Sequence, residues 1–205
     1  MKPELPPRLT PLPREFYAQP VLRVAKACIG KFLVHETKQG LSVGRIVETE
    51  AYRGPLDRAA HSFGGRRTAR TEVMFGPPGY AYVFFVYGMH YQFNIVTSKV
   101  DAPHAVLVRA VEPVLGVSFM AKRRNLPETS RDLTNGPGKL CQAMAIGGAA
   151  YGLDLCASPL FLADGPSTRS ASSQRIGIDY AGDWVEKPWR FFDPKSRYVS
   201  RARPC

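Results

Sequence analysis

Residues 80–97 read YAYVFFVYGMHYQFNIVT. Two runs of aromatic and β-branched residues, 80–86 and 91–97, flank a short segment that contains a glycine. Such runs joined by a turn predict two antiparallel strands that form a hairpin, with Tyr87 near its tip. The aromatic density suits the core of a sheet, whereas Tyr87 and Met89 would face water at the turn.

The segments on either side of this hairpin continue the pattern. Further strands are predicted over residues 31–36, 41–52 and 105–111. Helices are predicted over residues 19–29, from Pro113 to about residue 124, and from a cap at Thr134 or Asn135 to Gly147. Residues 53–78, rich in glycine, arginine and proline, predict a long ordered loop or a short helix. Because the strands cluster instead of alternating regularly with helices, the predicted fold class is α+β with an antiparallel sheet.

Length and composition indicate one globular domain. The 205 residues suffice for a sizeable core, and 44% apolar with 22% charged residues is ordinary for such a domain. We assign residues 19–205 to it. Residues 1–18 contain five prolines and no long apolar stretch, so they predict a flexible N-terminal arm and no signal peptide.

The charge balance points to a polyanionic partner. Lys and Arg number 28 against 17 Asp and Glu, which gives a formal net charge of +11. Nucleic acid is the first candidate, ahead of an anionic membrane, and a merely soluble basic surface is the alternative. The longest strongly apolar run, residues 80–89, is about half of the ~20 residues that a membrane helix needs.

Cysteine and histidine usage predicts no metal centre. Cys28, Cys141, Cys156 and Cys205 are widely spaced, and no CxxC motif occurs. Without a secretion signal they predict reduced thiols in a cytoplasmic protein. The histidines show no ligand spacing, so we predict neither a metal nor another cofactor.

One predicted strand carries two carboxylates. Strict alternation over residues 44–52 puts Ile46, Glu48, Glu50 and Tyr52 on one face. Two carboxylates beside an isoleucine are costly to bury unless they serve a function. The alternative is an exposed edge strand with a solvated acidic face, and this pattern alone does not decide between the two.

The loop after this strand concentrates arginine. Residues 59–70 contain no acidic side chain, while Arg66, Arg67 and Arg70 lie close to two glycines. Glycine lets backbone amides approach an anion and arginine binds phosphate through two nitrogens, so a phosphate site is predicted here. Lys139 is a further candidate, because it follows Gly136-Pro137-Gly138 at a predicted helix start. That segment lacks the residues of a nucleotide-binding P-loop.

Two other segments carry unusual side chains. Tyr87 and Met89 at a hairpin tip suit an apolar wedge that enters between base pairs. Leu107 and Arg109 share a strand face, so an arginine lies on an otherwise apolar surface. A buried arginine needs a carboxylate or a substrate anion as its partner.

Taken in order, six motifs resemble the alkyladenine (3-methyladenine) DNA glycosylase family. They are RIVETEAY at 45–52, AAHS at 59–62, GGR at 64–66, YGM at 87–89, VLVRA at 106–110 and GPGKLCQA at 136–143. The resemblance covers roughly residues 21–192. None of the motifs is specific alone, but the combination is.

The resemblance implies a fold and a function. The fold would be a single mixed domain around a curved antiparallel β-sheet with a protruding hairpin and no helix-hairpin-helix motif. The activity would be that of a monofunctional DNA glycosylase. It would flip alkylated or deaminated purines from duplex DNA and hydrolyse the N-glycosidic bond, on substrates of the 3-methyladenine, 7-methylguanine, hypoxanthine and ethenoadenine type. We expect a monomer that is cytoplasmic and DNA-associated, on the nucleoid if the source is bacterial.

The resemblance also implies residue roles. Glu50 would be the general base that activates water, and Arg109 would help to position that water. The pair that intercalates into the DNA would be Tyr87 and Met89. The base-binding pocket would comprise Tyr52, His61, Phe84, Asn94 and Leu107. Within the pocket, Tyr52 and His61 would sandwich the flipped base and Asn94 would screen the exocyclic amine of guanine. The family's more studied members have tyrosine at the position of Phe84, so a hydroxyl contact is lost while stacking remains.

Two alternatives stay open. A bifunctional glycosylase/lyase would need an amine nucleophile, and no such lysine is recognisable near Glu50. A non-catalytic damage-recognition or architectural DNA-binding protein would keep the basic loop and the wedge. Glu50 would then be surplus, because a carboxylate that faces DNA weakens phosphate binding.

Overall fold

A curled eight-stranded antiparallel sheet organises the chain. The computed structural model describes residues 8–200. The strands are β1 (Phe32–Thr37), β2 (Gly40–Tyr52), β3 (Ala81–Val86), β4 (His90–Thr97), β5 (His104–Leu115), β6 (Leu160–Ala163), β7 (Ala171–Ser173) and β8 (Arg190–Phe192). Six of them follow the order β3-β4-β5-β2-β1-β6, and β8 pairs with both β2 and β7. The α-helices of the described part are α1 (Arg14–Tyr17), α2 (Val21–Ala27), α3 (Val117–Arg124) and α4 (Pro137–Ala143).

The long strand β2 lies at the centre of this sheet. One edge pairs with β5 along most of its length. The other edge is shared, since β1 pairs with its first half and β8 with residues 48–50. This division bends the sheet. The predicted α+β class, the curved antiparallel sheet and the protruding β3–β4 hairpin are confirmed.

The main apolar core covers one face of the sheet, and smaller apolar clusters lie on the other. The main core cluster joins β-sheet residues to α2 and α4, with Val24 and Leu140 among the buried helix residues. Ile95, Val106 and Val108 face this core. Their neighbours in sequence point the other way, because successive strand residues alternate between faces. That second face holds the polar side chains that the sequence singled out.

Three secondary-structure predictions needed correction. β5 continues through Pro113 to Leu115, and Gly116, with a φ of 70°, then turns the chain into α3. Pro113 pairs with Gly44 beside a register shift between Val43 and Gly44, and such irregularities are where strands accommodate proline. The N-cap of α4 is Gly136, because the Thr134 hydroxyl donates to the carbonyl of Val111 instead.

The α4 helix also ends at Ala143, earlier than the predicted Gly147. Residues 53–78 form an ordered loop with short 3₁₀ turns, as predicted. Cys28, Cys141 and Cys156 are free thiols, and Cys205 lies outside the described residues. Within residues 8–200, no helix has the length and apolar character of a membrane span.

The start of the chain differs from the predicted arm. Leu12 and Tyr17 are buried, and the Tyr17 hydroxyl donates to the carbonyl of Leu155 over 3.3 Å. Pro11 forms a bridge with Ala163 beside β6. Because these side chains add apolar surface to the core, the folded domain begins before residue 19. Residues 1–7 of the predicted arm lie outside the described part of the chain.

Candidate active site

A β-bulge in β2 sets which side chains face the site. Ile46 pairs with Val111 and Glu48 pairs with Ala110, so Val47 has no partner on β5. The extra residue changes the alternation, as bulges do. Ile46 therefore faces the helices and belongs to the main core. The prediction that Ile46 shares a face with the carboxylates was wrong for this reason.

Glu50 is fully buried and held by three donors. The Tyr52 hydroxyl donates to its Oε2 over 2.8 Å, and the backbone N–H of Ile176 donates to its Oε1 over 2.8 Å. The Nη1 of Arg109 lies 3.2 Å from Oε1. Burial, and then the Glu50 charge, raises the pKa of Tyr52 well above its usual value, so the phenol remains a donor. The carboxylate thus has one fixed orientation.

Glu48 is the centre of a second buried network, which shares Arg109 with Glu50. Its oxygens accept from Arg109 Nε at 3.0 Å and from Arg190 Nε at 2.7 Å. They also accept from the backbone N–H of Ser200 at 2.6 Å and from its hydroxyl at 2.7 Å. Arg109 bridges the two carboxylates. Burial would lower the pKa of Arg109, but Glu50 and Glu48 outweigh it and raise the pKa.

A row of cross-strand partners links Glu50 to the hairpin. Tyr82 pairs with Asn94, Asn94 with Leu107, and Leu107 with Glu50. Directly opposed residues of antiparallel strands point to the same face. The amide nitrogen of buried Asn94 donates to the backbone carbonyl of Tyr82 over 3.2 Å. Strand register alone therefore brings Asn94, Leu107 and Glu50 together.

His61 and Phe84 stand beside this row. Their ring centroids are 4.6 Å apart, and the His61 Nδ1 lies 2.8 Å from the Tyr82 hydroxyl. Desolvation, followed by the positive charges of Arg70 and Arg66, lowers the pKa of His61 to about 4. The imidazole is therefore neutral at pH 7.

The ring of Tyr52 packs against a buried arginine, Arg175. The Arg175 guanidinium lies 4.8 Å from the centre of the Tyr52 ring and forms a bidentate ion pair with Asp57, at 2.5 and 3.0 Å. Arg175 also donates to the carbonyl of Ala51 over 3.0 Å. Arg175 directly precedes Ile176, whose N–H holds Glu50. The same segment thus fixes the Tyr52 ring and the Glu50 carboxylate.

The hairpin tip presents two apolar side chains to solvent. Tyr87 is 87% exposed and Met89 is 68% exposed. Tyr87 adopts a φ of 53° and Gly88 a φ of 65°, the left-handed pair of a tight hairpin turn. Neither side chain contributes to a core cluster of the described residues.

The predicted phosphate-binding residues are not equivalent. Arg67 is paired with Glu72 at 2.6 Å and with Asp101 at 3.4 Å. Lys139 is held by Asp132 and by the Asn135 side chain, both at 2.8 Å. Arg70 lies over the Phe84 ring, 4.7 Å from its centre. Arg66 is exposed on the same loop as Arg70, whereas Lys139 lies in α4.

Comparison with known proteins gives this site a context. A family model described as methylpurine-DNA glycosylase matches residues 15–197. The chain belongs to the methylpurine-DNA glycosylase family. Its reaction class is accordingly that of a DNA N-glycosylase, and the resemblance inferred from the six motifs is confirmed.

Curated relatives agree with the family assignment. The chain is similar to proteins provisionally named 3-methyladenine DNA glycosylase from three organisms. That of Desulfitobacterium hafniense is 50% identical over 92% of this chain and 98% of the relative. Those of Methanocella arvoryzae and Bacillus licheniformis are each 47% identical, over 94% and 95% of this chain and 97% and 99% of the relatives.

The sequence did not predict the residues that support this candidate site. Arg175 lies 118 residues from its partner Asp57, and Ser200 lies 152 residues from Glu48. Neither pair has a local signature, because no periodicity relates residues so far apart. A usable signal was present at Arg190, which alternation places on a different face from Phe191 in a short aromatic strand. No group of three or more potential metal ligands occurs within residues 8–200.

Proposed function

We propose that this glycosylase flips alkylated or deaminated purines from duplex DNA and hydrolyses their N-glycosidic bond, as the first step of base excision repair. Its substrates would be lesions of the 3-methyladenine, 7-methylguanine, hypoxanthine and ethenoadenine type. The observation that carries the proposal is the buried Glu50 carboxylate, which Tyr52, Ile176 and Arg109 hold beside an aromatic wall. A buried carboxylate with fixed orientation suits proton transfer and stabilisation of a cation.

Glu50 acts in this proposal as the general base. The water oxygen forms a bond to the sugar C1′ while the bond from C1′ to the purine nitrogen breaks. The bonding pair leaves with the base, and the proton of the water passes to Glu50. The anionic carboxylate also stabilises the positive charge that develops on the sugar. Arg109, 3.2 Å from Glu50, helps to position the water.

The walls of the pocket suit a flat base. Tyr52 and His61 take the two faces of the flipped purine, Phe84 adds a third wall, and Leu107 lines the site. Because its pKa is about 4, His61 is neutral and does not repel a cationic alkylated purine. Asn94, buried beside Leu107, lies at the floor and excludes the exocyclic amine of guanine.

Simple hydrolysis is favoured over a lyase reaction. Within residues 8–200 the groups that contact Glu50 are a phenol, a backbone amide and a guanidinium. None of these is a lysine amine that could form a Schiff base. The non-catalytic DNA-binding alternative leaves the three donors around Glu50 without a purpose. We further propose that the protein acts as a monomer, in the cytoplasm or on the nucleoid, where its DNA substrate lies.

Replacing Tyr87 by alanine is expected to impair base extrusion and to spare the fold. The side chain is 87% exposed, so it makes few core contacts. Loss of the ring should weaken extrusion by about 1–3 kcal/mol, the value of an aromatic contact with a base. The fluorescence of 2-aminopurine beside the lesion measures extrusion, and thermal unfolding measures the fold. A marked fall in melting temperature together with normal extrusion would assign Tyr87 to the core.

Binding is expected to depend on salt through Arg66 and Arg70. Each lost phosphate contact should reduce the slope of log affinity against log salt by about 0.9. The matched control is Arg67→Gln, because Glu72 and Asp101 already neutralise Arg67. We expect Arg66→Gln with Arg70→Gln to flatten the slope and the control to change it little. An unchanged slope in the double variant would exclude this loop from the DNA surface.

A direct assay tests the proposed function. Duplexes with one hypoxanthine, ethenoadenine or 7-methylguanine are incubated with the protein, and alkali then reveals abasic sites. Cleavage only after alkali is expected, and reduction with borohydride should trap no covalent adduct. Strand cleavage without alkali would favour the lyase, and intact DNA throughout would contradict the proposal.

A further inference from the structure

A cleft lies beside His61. Its volume is about 410 Å³, which falls within the usual range of ligand-binding pockets. Its lining includes Arg58, His61, Phe63, Arg66, Arg70 and Tyr180. Tyr52, Asn94 and Leu107 do not line it, so the cleft is distinct from the base pocket and shares His61 with it.

The cleft carries two aromatic rings that face solvent. Tyr180 is 72% exposed and Phe63 is 45% exposed. The Tyr180 hydroxyl lies 3.5 Å from the carbonyl of Ala59, so this ring belongs to the cleft wall and not to a free loop. Exposed aromatic rings on an otherwise polar surface mark contact sites.

The charge of the cleft is positive. Three arginines line it, and no aspartate or glutamate does. Within residues 8–200, Arg58, Arg66 and Arg70 take part in none of the ion pairs, in contrast to Arg67 on the same loop. Flat apolar surface beside unneutralised guanidinium groups matches a nucleotide, whose base or sugar is apolar and whose phosphate is anionic.

The position of the cleft identifies which nucleotide it takes. His61 lines the cleft, and its ring centroid lies 4.6 Å from that of Phe84 in the proposed base pocket. Arg70 also lines the cleft and lies 4.7 Å from the Phe84 ring. The cleft therefore adjoins the proposed base pocket, and a nucleotide in it would neighbour the flipped one.

Resting on the function proposed above, we propose that Phe63, Tyr180 and Arg58 form a subsite for the nucleotide that adjoins the flipped one in the lesion-bearing strand. Arg58 binds its phosphate, and the two rings pack against its sugar or base. The subsite anchors the strand on one side of the lesion while the damaged purine enters the pocket.

Truncated DNA tests this assignment. The double variant Phe63→Ser/Tyr180→Ser is compared with the parent on three duplexes that carry a lesion excised by the parent. One duplex is intact, and in the other two the lesion strand ends at the flipped nucleotide on its 5′ or its 3′ side. The matched control is Leu115→Ser, which removes a similarly exposed apolar side chain (41%) at the far end of β5.

We expect the double variant to bind the intact duplex roughly tenfold more weakly or worse, the effect of losing one or two aromatic contacts. The salt slope should not change, because neither ring is charged. On one of the two truncated duplexes, parent and variant should bind alike. Tyr180→Phe, which keeps the ring, should restore binding when Phe63 is native, and Leu115→Ser should bind like the parent.

Equal binding of parent and double variant to the intact duplex would overturn the subsite. A loss that persists on both truncated duplexes would also overturn it, because the rings would then contact something other than the neighbouring nucleotide. Both results are distinct from a failure of the proposed function, in which the parent itself excises none of the lesions. At saturating protein, the excision rate of the double variant should stay within about twofold of the parent, since the rings do not touch the reacting atoms.

Discussion

Replacing Glu50 by glutamine is expected to lower the single-turnover excision rate by at least about 10²–10⁴-fold, the usual contribution of a positioned general base. Glutamine keeps the size of the side chain and can still accept from Tyr52 or Ile176. It cannot take a proton from water or offset the charge on the sugar. Affinity for lesion DNA should stay equal or rise, because a negative charge near phosphates is removed.

The pH profile provides a second test of the pocket. Desolvation, and then the positive charges of Arg70 and Arg66, lower the pKa of His61 to about 4, so the imidazole stays neutral in mild acid. The excision rates of the parent and of Glu50→Gln should therefore show no inflection near the usual imidazole value of about 6.5. An inflection there that His61→Gln removes would mean that His61 is charged in the free protein.

A surface carboxylate provides the matched control. Glu72 lies in the loop of residues 53–78 that carries Arg66 and Arg70, and its side chain is 55% exposed. Glu72→Gln also removes one negative charge from the protein, so it separates an effect of net charge from an effect on the chemistry. Its excision rate should equal that of the parent. Near-parental excision by Glu50→Gln would place the catalytic base elsewhere.

Replacing Glu48 by glutamine is expected to lower the free energy of unfolding by about 3–5 kcal/mol, the cost of breaking a buried ion pair on one side. Glu48 has no exposed surface and accepts from Arg109, Arg190 and Ser200. The amide of glutamine carries no negative charge, so the buried guanidinium groups of Arg109 and Arg190 lose their counter-ion. Its N–H₂ group would also face the N–H donors that Glu48 accepts from. Urea unfolding measures the loss.

Glu112→Gln is the control for this stability prediction. Glu112 also pairs with an arginine, Arg45, at 2.6 Å, but its side chain is 23% exposed. Water can therefore replace part of the lost interaction, and a loss of about 1 kcal/mol or less is expected. Equal losses in the two variants would show that burial of Glu48 contributes nothing. A Glu48 variant that is stable yet inactive would give Glu48 a direct role in the chemistry.

The two glutamates also show how far sequence reasoning reaches. Alternation predicted that Glu48 and Glu50 share a face, and they do, with Arg109 between them. It did not predict the bulge at Val47, which turns Ile46 to the opposite face. Valine also occurs at regular strand positions, so the residue type does not indicate a bulge. The network around Glu48 also depends on Arg190 and Ser200, which lie 142 and 152 residues away in sequence.

Elements with strong local signals were predicted well. The hairpin from β3 to β4 was found because aromatic and β-branched runs meet at Gly88, and the long strand β2 was found by its composition. Pro113 misled the prediction, because a proline that opens a helix and one that sits at a strand irregularity look alike in sequence. The packing of Leu12 and Tyr17 was missed because nearby prolines suggested an arm without partners.

The position of Ser200 has a consequence for folding during translation. Its backbone amide and hydroxyl reach Glu48 across 152 residues of sequence. During translation, the strand that carries Glu48 therefore leaves the ribosome long before Ser200 does. Until Ser200 follows, the Glu48 carboxylate lacks two of the donors that hold it in the folded protein. The nascent sheet is accordingly less stable than the completed one during this interval.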